Sequence, residues 1–144
     1  MGFLRRYAFL VLVGCAVTAC ATELINNKVE PEVWHKFERA EKVDLIVAFD
    51  DKAILADAEL QKKAKGILFD DLEIQHMKLD QYASTKRKVI SSLPVGQTEV
   101  LKNYDTMPLM FLRFGSAQAL RALLDRPEVL RVYQDRQEQL NLSK

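Results

Sequence analysis

Residue types able to make or break bonds are few in these 144 residues, and they are poorly placed for one another. The two histidines, His35 and His76, lie far apart, and neither has a cysteine or carboxylate at metal-ligand spacing. Ser84, Ser91, Ser92 and Ser116 fall in helical stretches or at a helix start, where capping or exposure accounts for them. No G-x-S-x-G, H-E-x-x-H or glycine-rich phosphate loop accompanies them. Asp50-Asp51 and Asp70-Asp71 are neighbours in sequence at the ends of elements, where turn and first-turn roles suffice. Both cysteines, Cys15 and Cys20, precede the expected folded region, which leaves that region without a thiol for a disulfide or a metal. These features argue against an enzyme and call for no metal and no cofactor. They point to a protein that acts by binding.

The N-terminus carries an address. Arg5 and Arg6 precede an apolar stretch, Ala8 to Ala19, that is too short to span a bilayer and is followed by small residues, so residues 1–21 read as a signal for export. Within it, Val17-Thr18-Ala19-Cys20 resembles the lipobox of bacterial lipoproteins, in which cleavage before the cysteine exposes it for acylation. Leu12-Val13-Gly14-Cys15 fits the same short pattern but would leave a shorter apolar core, and an ordinary signal cut near Ala21 is the alternative to lipidation. The lipobox resemblance implies a chain tethered to a bacterial membrane through Cys20. In a cell with two membranes the outer one is expected, because Ala21 stands where an inner-membrane retention signal has Asp. Without lipidation the protein would be periplasmic or secreted.

Removing Arg5 and Arg6 takes Lys+Arg from 21 to 19 against 20 acidic residues, a formal charge of −1 for the mature chain. That balance offers no electrostatic case for nucleic acid. The basic runs Lys62-Lys63-Ala64-Lys65 and Lys86-Arg87-Lys88 read as solvated helix faces. With 49% hydrophobic residues the chain has enough apolar material for one core, and a second domain is not expected.

After a polar tether over residues 22–30, Pro31 is placed to open a short helix to about Glu41, with Val33, Trp34 and Phe37 on one side. Trp34, the one tryptophan, is expected to anchor the core or its margin. Val43–Phe49 is β-branched and apolar on both alternating faces, as in a central strand. Residues 52–69 have helical composition broken near Gly66, and Leu72, Leu79, Tyr82, Val89, Ile90 and Leu93 continue at helical spacing until Pro94. One helix would suffice to cross a small sheet, so residues 52–70 read as an insertion. Thr98–Asn103 and Leu109–Phe114 follow as strands joined by Tyr104–Pro108. Ser116 is a natural N-cap for a helix with Leu120, Leu123 and Leu124 inward, which Arg126-Pro127 stops. Val129–Gln134 is the last strand. The order is β-α-β-β-α-β: an α+β, ferredoxin-like fold with an antiparallel four-stranded sheet, two helices on one face, and an extra helical insertion. Both central strands, VDLIVAF and LMFLRF, are apolar on both faces, so the second face needs a cover from within the chain or from a partner protein.

The strand-turn-strand with Tyr104 and Met107-Pro108-Leu109, the helix with Leu120, Leu123, Leu124, Asp125 and Pro127, and the strand VLRVYQD resemble the propeptide domains of subtilisin-like serine proteases, also known as propeptide-type peptidase inhibitors. PEVWHKFERAEKVDLIVAFDD resembles the entry to their first strand, so the likeness covers roughly residues 31–140. It implies a monomer that binds a subtilisin-like protease, inhibiting it or assisting its folding, with the open sheet face on two protease helices and the segment after the last strand lying product-like in the cleft. Carried over, Asp135 would cap a protease helix, and the tail Arg136–Lys144 would lie in the cleft, with Leu140, Asn141, Leu142, Ser143 and Lys144 as its contact residues and Leu140 and Leu142 in subsites. Tyr133 and Gln134 depart from the acidic residues frequent at those positions. No protease sequence follows Lys144, which implies action in trans.

Cys20→Ser should therefore release the protein from membranes or block its maturation, read by fractionation of cells expressing each form. Equal solubility of wild type and variant after export would contradict lipidation.

Overall fold

The computed structural model describes residues 27–39 and 41–134. Val43–Phe49 forms β1, and its alternation sends Val43, Leu45, Val47 and Phe49 into the core while Asp44, Ile46 and Ala48 point the other way. Thr98–Tyr104 is β2, Leu109–Phe114 is β3 and Val129–Gln134 is β4. The four strands lie in the order β2-β3-β1-β4, every neighbouring pair antiparallel. The chain is thus α+β, with the antiparallel sheet of a ferredoxin-like fold and an extra helix. The central position of β1 and β3 agrees with their two-sided apolar sequence.

The helices are α1 (Pro31–Glu38), α2 (Lys52–Lys65), α3 (Leu72–Ser91) and α4 (Ala117–Leu124). Pro31 opens α1, and the helix ends at Glu38, short of the expected Glu41, with Arg39 as C-cap. Gly66 ends α2 in the left-handed conformation at φ 67°, which a glycine adopts without steric cost. The Asp71 carboxylate accepts from the Ile74 N–H at 2.9 Å to start α3, and Ser116 Oγ accepts from the Ala119 N–H at 3.2 Å to start α4.

One core unites β1, β3 and β4 with α1, α4 and the end of α3. Leu45, Leu112, Phe114, Leu120 and Leu123 are fully buried in it, together with Val33 of α1 and Val89 of α3. Trp34 packs at its margin, 6.5 Å from the Phe37 ring, with the Arg121 guanidinium 5.5 Å over its own ring. The insertion expected over residues 52–70 is α2 and the loop after it. Ile54 and Ala58 of α2 are buried, as are Ile74 and Tyr82 of α3, and the two helices form a hairpin joined by Gln81 and Asp57. Lys78 donates to Asp70 at 2.8 Å and Lys65 to Asp71 at 2.8 Å, which holds both carboxyls below their usual range.

Three lysines depart from the expectation of solvated faces and tether. Lys62 is bonded to Glu59 and Asp70, closing the hairpin. Lys86 is buried, and its ammonium donates to the Tyr104 carbonyl at 2.6 Å and to Asn103 at 3.1 Å, fastening α3 to the end of β2. Burial lowers its pKa, and nearby Asp105 opposes that shift. Lys28 donates to the carbonyls of Leu124 and Arg126, both at 3.0 Å, so a cation sits at the C-terminus of α4, where the helix dipole favours it. The Lys28 carbonyl accepts from the Val132 N–H at 2.8 Å, and Val29 is buried in the core. Composition placed residues 28–30 in a tether, yet they belong to the folded domain.

Lys86→Met keeps the volume but leaves the Tyr104 carbonyl without its charged donor. Urea denaturation should show a loss of about 1–3 kcal/mol, the penalty for a buried unpaired polar group. A change within about 0.5 kcal/mol, as at an ordinary surface lysine, would contradict this role.

Candidate functional site on the open sheet face

The strand register builds this face row by row. Glu99, Arg113 and Asp44 make the first row, across β2, β3 and β1. Arg113 binds Asp44 in bidentate fashion through Nε and an η nitrogen, both at 2.7 Å, and its other η nitrogen lies 3.9 Å from Glu99. Such a planar two-point pair is the strongest form of this ion pair, and it closes one end of the face.

The second row reads Lys102, Phe111, Ile46 and Tyr133, and the third Tyr104, Leu109, Ala48 and Arg131. The middle of the face is therefore apolar: Phe111 and Ile46 stand opposite each other, as do Leu109 and Ala48. Both flanks pair a tyrosine with a cation. Lys102 Nζ lies 4.8 Å from the Tyr104 ring centre, and the Arg131 guanidinium lies 5.5 Å from that of Tyr133. Each cation thus covers an aromatic ring at the rim and leaves the middle apolar.

Ile46, Leu109 and Phe111 are only half-buried, whereas Leu45, Leu112 and Phe114 on the opposite face are fully buried. Tyr133 is 42% exposed. The buried side chains of α1 and α4 belong to the core under the other face, as does the end of α3, and α2 packs on α3. Pairing of alternate, directly opposed side chains is what gives a sheet face a continuous surface, and here the surface is an aromatic and aliphatic strip with a charged rim.

The groups weighed for catalysis are occupied structurally. Asp50 accepts from the Lys52 N–H at 3.0 Å, Asp51 accepts from the Tyr82 hydroxyl at 3.4 Å, and Asp70 and Asp71 serve the hairpin. Ser91 and Ser92 donate to carbonyls one turn back in α3. His35 Nδ1 lies 3.1 Å from Glu38 on the exposed side of α1, and His76 is exposed. Among the described residues no group of three or more His, Cys, Asp or Glu could hold a metal ion. A cleft of 310 Å³ between α3 and β2, lined by Ile90, Val100 and Met110 among others, carries charge only from Lys86 and Arg87.

Asp135, Leu140, Asn141, Leu142, Ser143, Lys144 and Cys20 lie outside the described residues. What sequence reasoning missed was the rim: Lys102, Tyr104, Arg131 and Tyr133, and the Asp44–Arg113 pair. The signal was present, since Asp44 and Arg113 interrupt two apolar strands once each, but the partnership needs the cross-strand register.

No protein-family model matches this chain, and no curated protein and no solved structure matches it significantly.

Proposed function

We propose that this domain is a protein-binding module rather than an enzyme, and that its open sheet face is the binding surface. The observation that carries this reading is the half-exposed strip of Ile46, Leu109, Phe111 and Tyr133 on the side opposite the shared core. An apolar centre with tyrosines and arginines around it has the composition of a protein interface core and rim. Lys102 and Arg131, stacked on tyrosines, can turn outward to acidic groups of a partner.

The proposed partner is a subtilisin-like serine protease, bound in trans and either inhibited or helped to fold. The likeness of residues 31–140 to propeptide domains of that family supports this choice. In this reading the sheet face docks on protease surface helices, Asp135 meets a helix N-terminus, and Leu140 to Lys144 enter the cleft. Lipidation at Cys20 would hold the complex at a membrane. The same face could instead serve a non-inhibitory adaptor lipoprotein with an unrelated partner, which the following experiment separates.

The domain from residue 22 to 144 should inhibit at least one member of a panel of subtilisin-like proteases. Phe111→Asp should weaken that inhibition, and so should deletion of Arg136–Lys144, each by tenfold or more, about 1.4 kcal/mol. Thermal unfolding should hardly change on the deletion, which removes only two apolar side chains, and because Phe111 is half-buried its variant is compared at a temperature where circular dichroism shows it folded. Inhibition that survives the deletion but not Phe111→Asp would mean that the face acts alone. No inhibition across the panel would favour the adaptor.

A further inference from the structure

The hairpin of α2 and α3 ends in large apolar side chains that the domain leaves bare. Leu68 is 85% exposed, Phe69 82%, Leu72 72%, and Leu60, in the turn of α2 that Lys62 ties to Asp70, 65%. Single exposed leucines are ordinary, but a cluster at one tip implies a partner. Asp70 and Asp71 stand between Phe69 and Leu72, and their charges are met, since Lys65 bridges Asp71 at 2.8 Å and Glu73 at 2.6 Å while Asp70 is held by Lys62 and Lys78. The tip is a convex end whose apolar side chains are bare and whose two carboxylates are paired with lysines.

Its direction follows from the register. Lys86 meets Tyr104 at the C-terminal end of β2, which aligns through Leu109 with Ala48 near the C-terminal end of β1. From Lys86 back to Leu72 the helix runs about 20 Å at 1.5 Å per residue, with Thr106 of the β2–β3 turn beside Gln75 and Lys78 and only the first turn of α3 and the loop before it beyond that contact. The N-terminal segment enters at the same end. Lys28 caps α4 at Leu124 and Arg126, and the next turn of chain is fixed there by the Asp50 N–H donating to the Glu128 carbonyl at 2.9 Å. Between Cys20 and Lys28 lie residues 21–27, whose reach when extended is about 24 Å.

We propose that the α2–α3 tip is a membrane-contact site that seats Leu68, Phe69 and Leu72 in the interfacial region of a phospholipid bilayer. It rests on the reading of Cys20 as a membrane anchor, to which it adds a second point of attachment. A convex end suits a bilayer, which needs no complementary pocket, and stable membrane association takes two signals rather than one. Two attachments at the same end of the domain fix its orientation, with the strands running away from the membrane and both sheet faces clear of it.

The test uses the full chain bearing Phe69→Trp, reconstituted with an excess of phosphatidylethanolamine–phosphatidylglycerol vesicles that carry brominated acyl chains. The indole introduced at position 69 should be quenched, raising total tryptophan quenching at least twofold over the wild type, in which Trp34 is the sole reporter. Adding Leu68→Ser and Leu72→Ser should abolish the increase. An unquenched indole at position 69 would overturn the proposal. So would a blue shift that grows with protein concentration in the absence of lipid, which would make the tip a contact between copies. The mass of the Cys20 peptide reports the anchor separately. Acylated Cys20 without quenching at position 69 defeats the tip alone, and quenching there with unmodified Cys20 supports the tip and defeats the anchor.

Discussion

A sheet whose two central strands are apolar on both sides needs two covers, and the described helices supply one. This constraint shapes the rest of the molecule. Val43, Leu45, Val47 and Phe49 of β1 meet Met110, Leu112 and Phe114 of β3 under the helices. On the reverse, Ile46 and Phe111 meet, and among the described residues the helices of the core lie under the other face. Leaving such a strip partly open forgoes the stabilisation of about 25 cal/mol per Å² that burial would give. The strip is retained next to a bidentate Arg113–Asp44 pair and two cation–tyrosine pairs that keep the rim polar. This arrangement suits a surface that is completed on binding.

Much of the fold was legible because the strands and two of the helices carry strong local signals. β1, β3 and β4 begin and end where alternation and turn residues place them, and Ser116 caps the helix it precedes. Helix α1 stops short of Glu41 because the chain must turn to enter β1 at Val43, a tertiary demand that outweighs helical composition. The lysines depart from their local pattern for a different reason. A side chain such as Lys86 looks solvated in a run of three cations, and only the arrival of the Tyr104 carbonyl, eighteen residues away in sequence, offsets the cost of its burial. Lys28 is similar, since its acceptors at Leu124 and Arg126 come from the far end of the chain. The apolar centre of the open face was readable from two-sided hydrophobicity. Its rim was not, because only the order β2-β3-β1-β4 puts the Lys102–Tyr104 and Arg131–Tyr133 pairs on the two opposite edges of that strip.

The three surfaces divide the work by position. The sheet face looks sideways from the strands, the hairpin tip and the N-terminal segment share one end, and β4 finishes at the opposite end, since Gln134 pairs with Leu45 near the start of β1. Gln134, the last described residue, thus lies at the edge strand of the sheet and at the end opposite the proposed membrane contact. The proposed docking strip and the proposed membrane contact therefore use different parts of the described domain. Neither role competes with the other for surface.

The open face should be partly accessible to solvent in the unbound protein, which solvent paramagnetic relaxation measured by NMR on methyl and aromatic protons reads out. With a soluble gadolinium chelate and the full mature chain, Ile46, Leu109, Phe111 and Tyr133 should relax several-fold faster than Leu45, Leu112 and Phe114. Equal protection of the two sets would mean that another part of the chain covers the face, and the account of it as a binding surface would fail.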